Sequence, residues 1–289
     1  MTISIIICCR HEEISPQLKE NIQSTIFCDS SHEYQIIVID NHNNQYSIFE
    51  AYNRGVQVST GDILCFMHDD IEYQTVGWGD KVVSLFEDSN IDACAVIGSS
   101  YLRKAPTYTN HGRFSCMNMI YEGNRTSINA DKVRPIVVFD GFWFCVRKRC
   151  FQHVYFDDQT YGGFHFYDMD TALQLFHAGY HTVFIPDVFI FHSYGANFNN
   201  QWLDNSFAFY HKWKGLLPLS AIPEEIPTEK EARNFNLQAL YSTLRQIVKF
   251  RRWDKVREYL AMTREVSGQP AVLTIFQALV LHFRLKRHQ

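Results

Sequence analysis

The chain has 289 residues, 46% of them hydrophobic and 20% charged, enough to bury one good-sized core with a smaller appendage. Its net charge of −4 divides into an acidic body at −9 and, from Pro223 onward, a basic tail at +5, where 12 Lys and Arg face 7 Asp and Glu. No basic region leads into an apolar signal segment, no apolar run nears the ~20 residues of a spanning helix, and no RNP, zinc-finger or helix-turn-helix pattern supports a nucleic-acid partner.

The expectation is therefore a soluble, cytoplasmic chain. Eight cysteines sit mostly inside apolar runs without a CxxC pair, which reads as reduced core thiols. An acidic body lacks the Lys and Arg to cradle a polyphosphate, so a phosphate site here calls for a divalent cation.

In chain order, five apolar runs predict strands covered on both faces: 3–9 (ISIIICC), 34–40 (YQIIVID), 63–68 (ILCFMH), 93–98 (ACAVIG) and 137–146 (VVFDGFWFCV). Helical patterns lie between them. Ser15-Pro16 predicts an N-cap and first-turn proline for a helix to about Phe27, and the spacing predicts further helices over 47–58 and 76–86. Alternation of this kind is the pattern of βαβ units on a mainly parallel sheet flanked by helices. Residues 99–134 are polar and aromatic without clear period, and read as a long loop shaping a substrate pocket. A helix over about 168–177, a strand at 181–186 and an aromatic segment through Trp213 follow. Three prolines in 218–227 mark a linker, after which helices are expected over 229–250, 252–264 and 271–286. The domain reading is an α/β unit at 1–217, then a linker and C-terminal helical extension at 218–289.

Chemistry concentrates at strand ends. The run ILCFMH leads into Asp69-Asp70, a place where open α/β sheets bind ligands, and adjacent carboxylates there suit Mg²⁺ or Mn²⁺ or else form a solvated acidic turn. Asp140-Gly141 interrupts an apolar run, where an unpaired charge would be expensive to bury.

The blocks IIVIDN, AYNRGVQVSTGDILCFMHDD, VVFDGFWFCVRKRCF and FDDQTYGGFHFYDMDTALQLFHAGYHTVFIPDVFIFH together resemble, in that order, the family 2 glycosyltransferases of GT-A fold. The resemblance spans most of residues 1–215 and looks closest to a subgroup with His-Asp-Asp in place of the aspartate triplet. It implies an enzyme that moves a sugar from a nucleotide-diphospho-sugar, UDP-sugars favoured, to a hydroxyl on a glycan, polysaccharide or lipid-linked acceptor, with Mn²⁺ or Mg²⁺ and inversion. Asp40, Asn53 and Arg54 match its nucleotide contacts, Asp69 the ribose side of its DXD-type motif, Asp70 the direct metal ligand, and Asp140 a contact to the donor sugar. Asp168 matches the catalytic base and His192 a histidine that completes the metal shell. For each, a capping or structural role is the alternative. His68 replaces a family carboxylate and either lines the pocket, ligates the metal or is a satisfied core histidine; Tyr167 stands where the family has Glu; Asp170 is structural or acceptor-binding. The apolar, basic-ended helix at 271–286 either packs on protein or lies on the inner, anionic face of a membrane. Two rival readings are a catalytically inactive GT-A module that binds glycans or scaffolds, and a sugar nucleotidyltransferase. The second lacks a Gly-rich basic loop, since CCRHEEISPQ offers only Arg10.

Overall fold

The computed structural model describes residues 1–286 apart from 29–30, 106–111, 122–123 and 194–197. In chain order its elements are β1 (Thr2–Cys9), α1 (Pro16–Thr25), β2 (Glu33–Asp40), α2 (Ile48–Val58), β3 (Ile63–Met67), β4 (Ile71–Tyr73), α3 (Trp78–Leu85), β5 (Ala93–Ala95), β6 (Ile97–Ser99), β7 (Tyr101–Leu102), β8 (Ser115–Tyr121) and β9 (Asn124–Ile128). The second half supplies β10 (Arg134–Pro135), β11 (Val138–Phe139), β12 (Trp143–Arg147), α4 (Tyr167–His177), β13 (Thr182–Phe184), β14 (Ile190–His192), α5 (Asn200–Trp213), β15 (Leu219–Ser220), α6 (Glu229–Lys249), α7 (Val256–Ser267) and α8 (Ala271–Lys286).

The main sheet has seven strands in the order β10-β13-β5-β12-β3-β1-β2. Its pairings make five strands run one way, with β12 and β10 opposed to their neighbours. Strand alternation sends Ile6, Cys8, Leu64, Phe66 and Phe144 into one apolar cluster, shared with α2, α4 and α5. Their neighbours Ile5, Ile7, Cys65, Met67 and Cys145 enter a second cluster with α1 and α3. Both faces are thus covered, which is why these strands read as unbroken apolar runs. The first two helices begin as the sequence predicts: Ser15 caps α1 through the amide of Leu18, and Ser47 forms a capping box with Glu50 at α2. Seven of the eight cysteines are buried and all are free thiols.

Four expectations need correction. The run 93–98 is two strands, β5 in the main sheet and β6 in a second sheet of order β11-β6-β8-β14-β4. The run 137–146 likewise splits into β11 and β12, in different sheets, at Asp140-Gly141-Phe142. The supposed loop 99–134 contains β7, β8 and β9, although its residues 106–111 and 122–123 lie outside those described. Its period is hidden because a polar residue faces inward: Asn118 is buried and donates to the carbonyls of Pro186 (2.5 Å) and Val188 (3.4 Å), while Ser127 donates to its side-chain oxygen (3.1 Å). The aromatic segment before Trp213 is a helix, α5, capped by Asn199.

The proline-rich segment after Leu217 is strapped down rather than free, since β15 pairs with β7 and Ala221 donates to Ser100 (2.8 Å). Beyond it, Leu240, Ile247, Tyr259 and Met262 of α6 and α7 belong to the same apolar cluster as α5. No single helix among the described residues is long and apolar enough to cross a membrane; α7 with its preceding turn and α8 pass a length and composition test only as a pair bent by 80°.

Candidate active site

The chain leaves β3 through His68, Asp69 and Asp70 on its way to β4. This crossing is pinned twice: His68 donates its amide to Phe142 (2.9 Å), and Ser193 donates to the carbonyl of Asp70 (3.2 Å). Because His192 pairs with Ile71 across the β14–β4 ladder, its ring lands beside Asp70. His68, Asp70 and His192 therefore meet. His68 Nδ1 is 3.4 Å from His192 Nε2 and 3.8 Å from Asp70 Oδ1, and His192 Nε2 is 3.4 Å from Asp70 Oδ1. A point equidistant from these three atoms lies about 2 Å from each, the length of a metal bond to imidazole nitrogen or carboxylate oxygen. The donor set fits a divalent cation. Phe142 stacks on the His192 ring at 4.7 Å and 13°, fixing its plane.

Charge in this cluster suits ligation. Burial alone would push the Asp70 carboxyl up, but the hydrogen bond and charge of His192, with His68 and Arg10, hold it below the ordinary carboxylate value. Burial, then the charge of His192, lowers His68, so its imidazole is neutral near pH 7. Asp69 has a different occupation. The Arg10 amide (2.8 Å) and guanidinium (2.8 Å) both hold it, while the same guanidinium stands 3.7 Å from Asp70.

Beside this cluster, at the break between β11 and β12, Asp140 and Gly141 join the cavity lining. Asp140 Oδ1 accepts from Phe142 (3.2 Å), and Asp168 accepts from Gly141 (3.0 Å) and Met169 (2.8 Å). Burial, then the neighbouring charge of Asp140, pushes the Asp168 carboxyl up to about 7 against the pull of these N–H donors. Asp168 is not the N-cap of α4. That place belongs to Phe166, a non-glycine residue at φ +71°, whose left-handed backbone turns the helix start toward the cavity. Asp170 points the other way and is 1% exposed, accepting from Tyr161 (3.0 Å), Trp213 (2.7 Å), Gln174 (2.7 Å) and Lys212 (2.9 Å). It is structural.

One cavity of about 780 Å³ is lined by His68, Asp69, Asp70, His192, Asp140 and Asp168 together. Asp40, Asn53 and Arg54 lie outside its lining. Asp40 is bound to His42 (Oδ1 to Nδ1, 2.7 Å), a contact that lowers its carboxyl, and Asn53 joins α2 to Phe156 (2.7 and 3.1 Å). Arg54 covers the Tyr46 ring at 4.1 Å. The cavity is lined instead by Cys8, Arg10, Asn44 and Ile48, and also by Met117, Met119, Phe164, Phe198 and Trp202. Arg10 carried a signal in sequence, as the single basic residue after β1, and Met117 and Met119 fall in the stretch 99–134 read as pocket-shaping; Asn44 carried none.

No curated protein matches the sequence significantly. Among solved structures, S. aureus TarS 1–349 is similar over 100% of this chain and 92% of its own, at 10% identity and TM-score 0.52. GalNAc-T7, in a crystal structure with UDP, GalNAc and Mn²⁺, is similar over 92% of this chain at 10% identity and TM-score 0.50, and this chain spans 58% of that one. These likenesses bear on the fold, which is GT-A. A family model described as "Glycosyltransferase like family" matches residues 4–212, so the chain belongs to the glycosyltransferase-like family.

Proposed function

We propose that the protein transfers a glycosyl group from a nucleoside-diphospho-sugar, UDP-sugars first among them, to a hydroxyl of a glycan, polysaccharide or lipid-linked acceptor, with inversion at the anomeric carbon. One observation carries this reading: a single cavity is lined both by the His68, Asp70 and His192 cluster and by Asp168, whose carboxyl is pushed up to about 7. The GalNAc-T7 structure, which contains UDP and Mn²⁺, supports the choice of nucleotide and cation.

A divalent cation, Mn²⁺ or Mg²⁺, held by His68, Asp70 and His192 would supply charge neutralisation for the departing diphosphate. The chain's own groups do the rest. Asp69 anchors Arg10 beside the phosphates, and the edge formed by Cys8, Asn44 and Ile48 takes the nucleoside. Asp140 receives a donor-sugar hydroxyl. Asp168 accepts the proton of the acceptor hydroxyl as it attacks, a task matched to a carboxyl near 7 and typically worth about 10²–10⁴ in rate. The wall of Met117, Phe164, Phe198 and Trp202 offers the acceptor an apolar and aromatic surface. His68 and Tyr167, the two departures that motivate the inactive-module reading, are hydrogen-bonded to each other at 2.8 Å, an arrangement that favours a working site. The setting that fits is cytoplasmic, with Val272, Leu273, Phe276 and Phe283 exposed on α8 for contact with the inner membrane face.

The test is nucleotide release from UDP-, GDP- and CMP-sugars with Mn²⁺, with and without chelator. One donor class should turn over and chelation should stop it. Absence of both turnover and metal-dependent nucleotide binding across the panel would overturn the reading.

A further inference from the structure

His68 reaches the metal cluster with one nitrogen and Tyr167 with the other. Its Nδ1 faces Asp70 Oδ1 (3.8 Å) and His192 Nε2 (3.4 Å), while its Nε2 lies 2.8 Å from the Tyr167 hydroxyl. A neutral imidazole carries a single proton, so the partner of Nε2 decides whether Nδ1 offers a lone pair or an N–H. Tyr167 can accept Nε2–H through its hydroxyl oxygen or donate to Nε2, and only acceptance leaves the Nδ1 lone pair free. Its ring is buried, lies edge-on to Phe49 (6.3 Å, 87°) and Tyr52 (5.6 Å, 76°), and occupies the space that a Cβ on Gly141 would take. The phenol oxygen thus has a fixed position.

We propose that Tyr167 is a positioning residue whose oxygen accepts the Nε2–H of His68, which turns the Nδ1 lone pair toward Asp70 and His192 and makes His68 the third metal ligand. The resulting set of two imidazoles and one carboxylate favours a first-row transition ion over Mg²⁺ or Ca²⁺, most for Zn²⁺, Fe²⁺ or Ni²⁺ and least for Mn²⁺, which shares much of the oxygen preference of Mg²⁺ and Ca²⁺. Outer partners of this kind commonly contribute 10- to 100-fold in metal affinity. The inference rests on the metal reading of the cluster given above and adds to it the ligand geometry and the class of ion.

Calorimetric titration with Mn²⁺ alone and Mg²⁺ alone, on the wild-type protein, Tyr167→Phe and His68→Asp, tests it. Wild type should bind Mn²⁺ at least about 10-fold more tightly than Mg²⁺. Tyr167→Phe keeps the ring and should weaken Mn²⁺ about 10-fold or more, with its metal-free melting transition still cooperative. His68→Asp should narrow the preference for Mn²⁺. A measurement on the wild type needs no variant to fold: ¹⁵N-correlated spectra of the protein with Zn²⁺ should show His68 protonated at Nε2 and not at Nδ1. Unchanged Mn²⁺ affinity in Tyr167→Phe, the opposite tautomer, or an equal Mn²⁺ to Mg²⁺ ratio in wild type and His68→Asp overturns the proposal. Wild type that binds none of these ions removes the metal reading itself, a result separable from a Tyr167 variant that binds normally.

Discussion

Two carboxylates in the first turn of α4, two positions apart, have opposite surroundings. Asp170 faces the interior, where four side-chain donors from Tyr161, Gln174, Lys212 and Trp213 satisfy it, and Lys212 also binds Asp157 (2.7 Å). Asp168 faces the cavity with two backbone amides for company and another carboxylate nearby. A helix start stabilises acids in either place, so position on the helix says nothing about their use. The partners do. A carboxylate with every lone pair engaged by rigid donors is fixed in geometry, whereas Asp168, buried and poorly compensated, has its carboxyl pushed up to about 7 and can exchange a proton.

Replacing each by its amide should pull the pair furthest apart. Asp168→Asn is expected to lower kcat about 10³-fold while leaving Mn²⁺ affinity within about 2-fold of wild type. Turnover within about 10-fold of wild type would remove Asp168 as the base. In the wild type, kcat/KM should rise about tenfold per pH unit up to about 7 and level off above it, as the base loses its proton. Stability moves in the other sense. The folded-state value of Asp168 is raised, so its favourable contribution is complete below the ordinary carboxylate range and lost as pH rises through about 7. Urea unfolding at pH 5 and pH 8 should therefore show the asparagine variant gaining about 1–2 kcal/mol relative to wild type, allowing for the carboxyl's partial access to solvent.

For Asp170→Asn the expected loss is of stability, about 3 kcal/mol by denaturant midpoint, because Lys212 and the Tyr161 and Trp213 donors lose a charged acceptor. Its kcat per folded molecule should stay within about 3-fold of wild type. A folded, stable Asp170→Asn with no activity would erase the distinction between the two acids.

What the sequence discloses follows the same physics. β1, β2 and β3 are legible because both their faces are covered, which forces continuous apolar runs, and α1 and α2 announce themselves through Ser15 and Ser47. The second sheet hides because its strands are short and β8 buries Asn118 against backbone carbonyls, breaking the apolar alternation. In the site, Asp69, Asp70, Asp140 and His192 are visible as polar residues ending or interrupting apolar runs. The His68 to Tyr167 hydrogen bond spans 99 residues and exists only through the fold, so each looked like an isolated departure. Asn53 and Arg54 lie outside the cavity lining, and a motif position alone does not reveal which way a helical side chain leaves its helix.

Asn53 and Arg54 carry the smallest of these effects. The Asn53 side chain is the better anchored of the two. Its amide donates to the Phe156 carbonyl (2.7 Å) and to Asp158 (3.3 Å), and its oxygen accepts from the Phe156 amide (3.1 Å). These bonds fix the segment that leads into Tyr161 and α4, whereas Ile48 rather than Asn53 lines the cavity. Asn53→Ala should then cost about 1–2 kcal/mol of stability, the usual value for losing partly buried hydrogen bonds, and leave the donor KM within about 2-fold. Arg54→Ala, at an exposed ring contact, should change stability by about 0.5 kcal/mol or less. If Asn53→Ala instead raised the donor KM tenfold at unchanged stability, the nucleotide would have to reach Asn53, and the cavity edge at Cys8, Arg10 and Asn44 would be the wrong place to seat it.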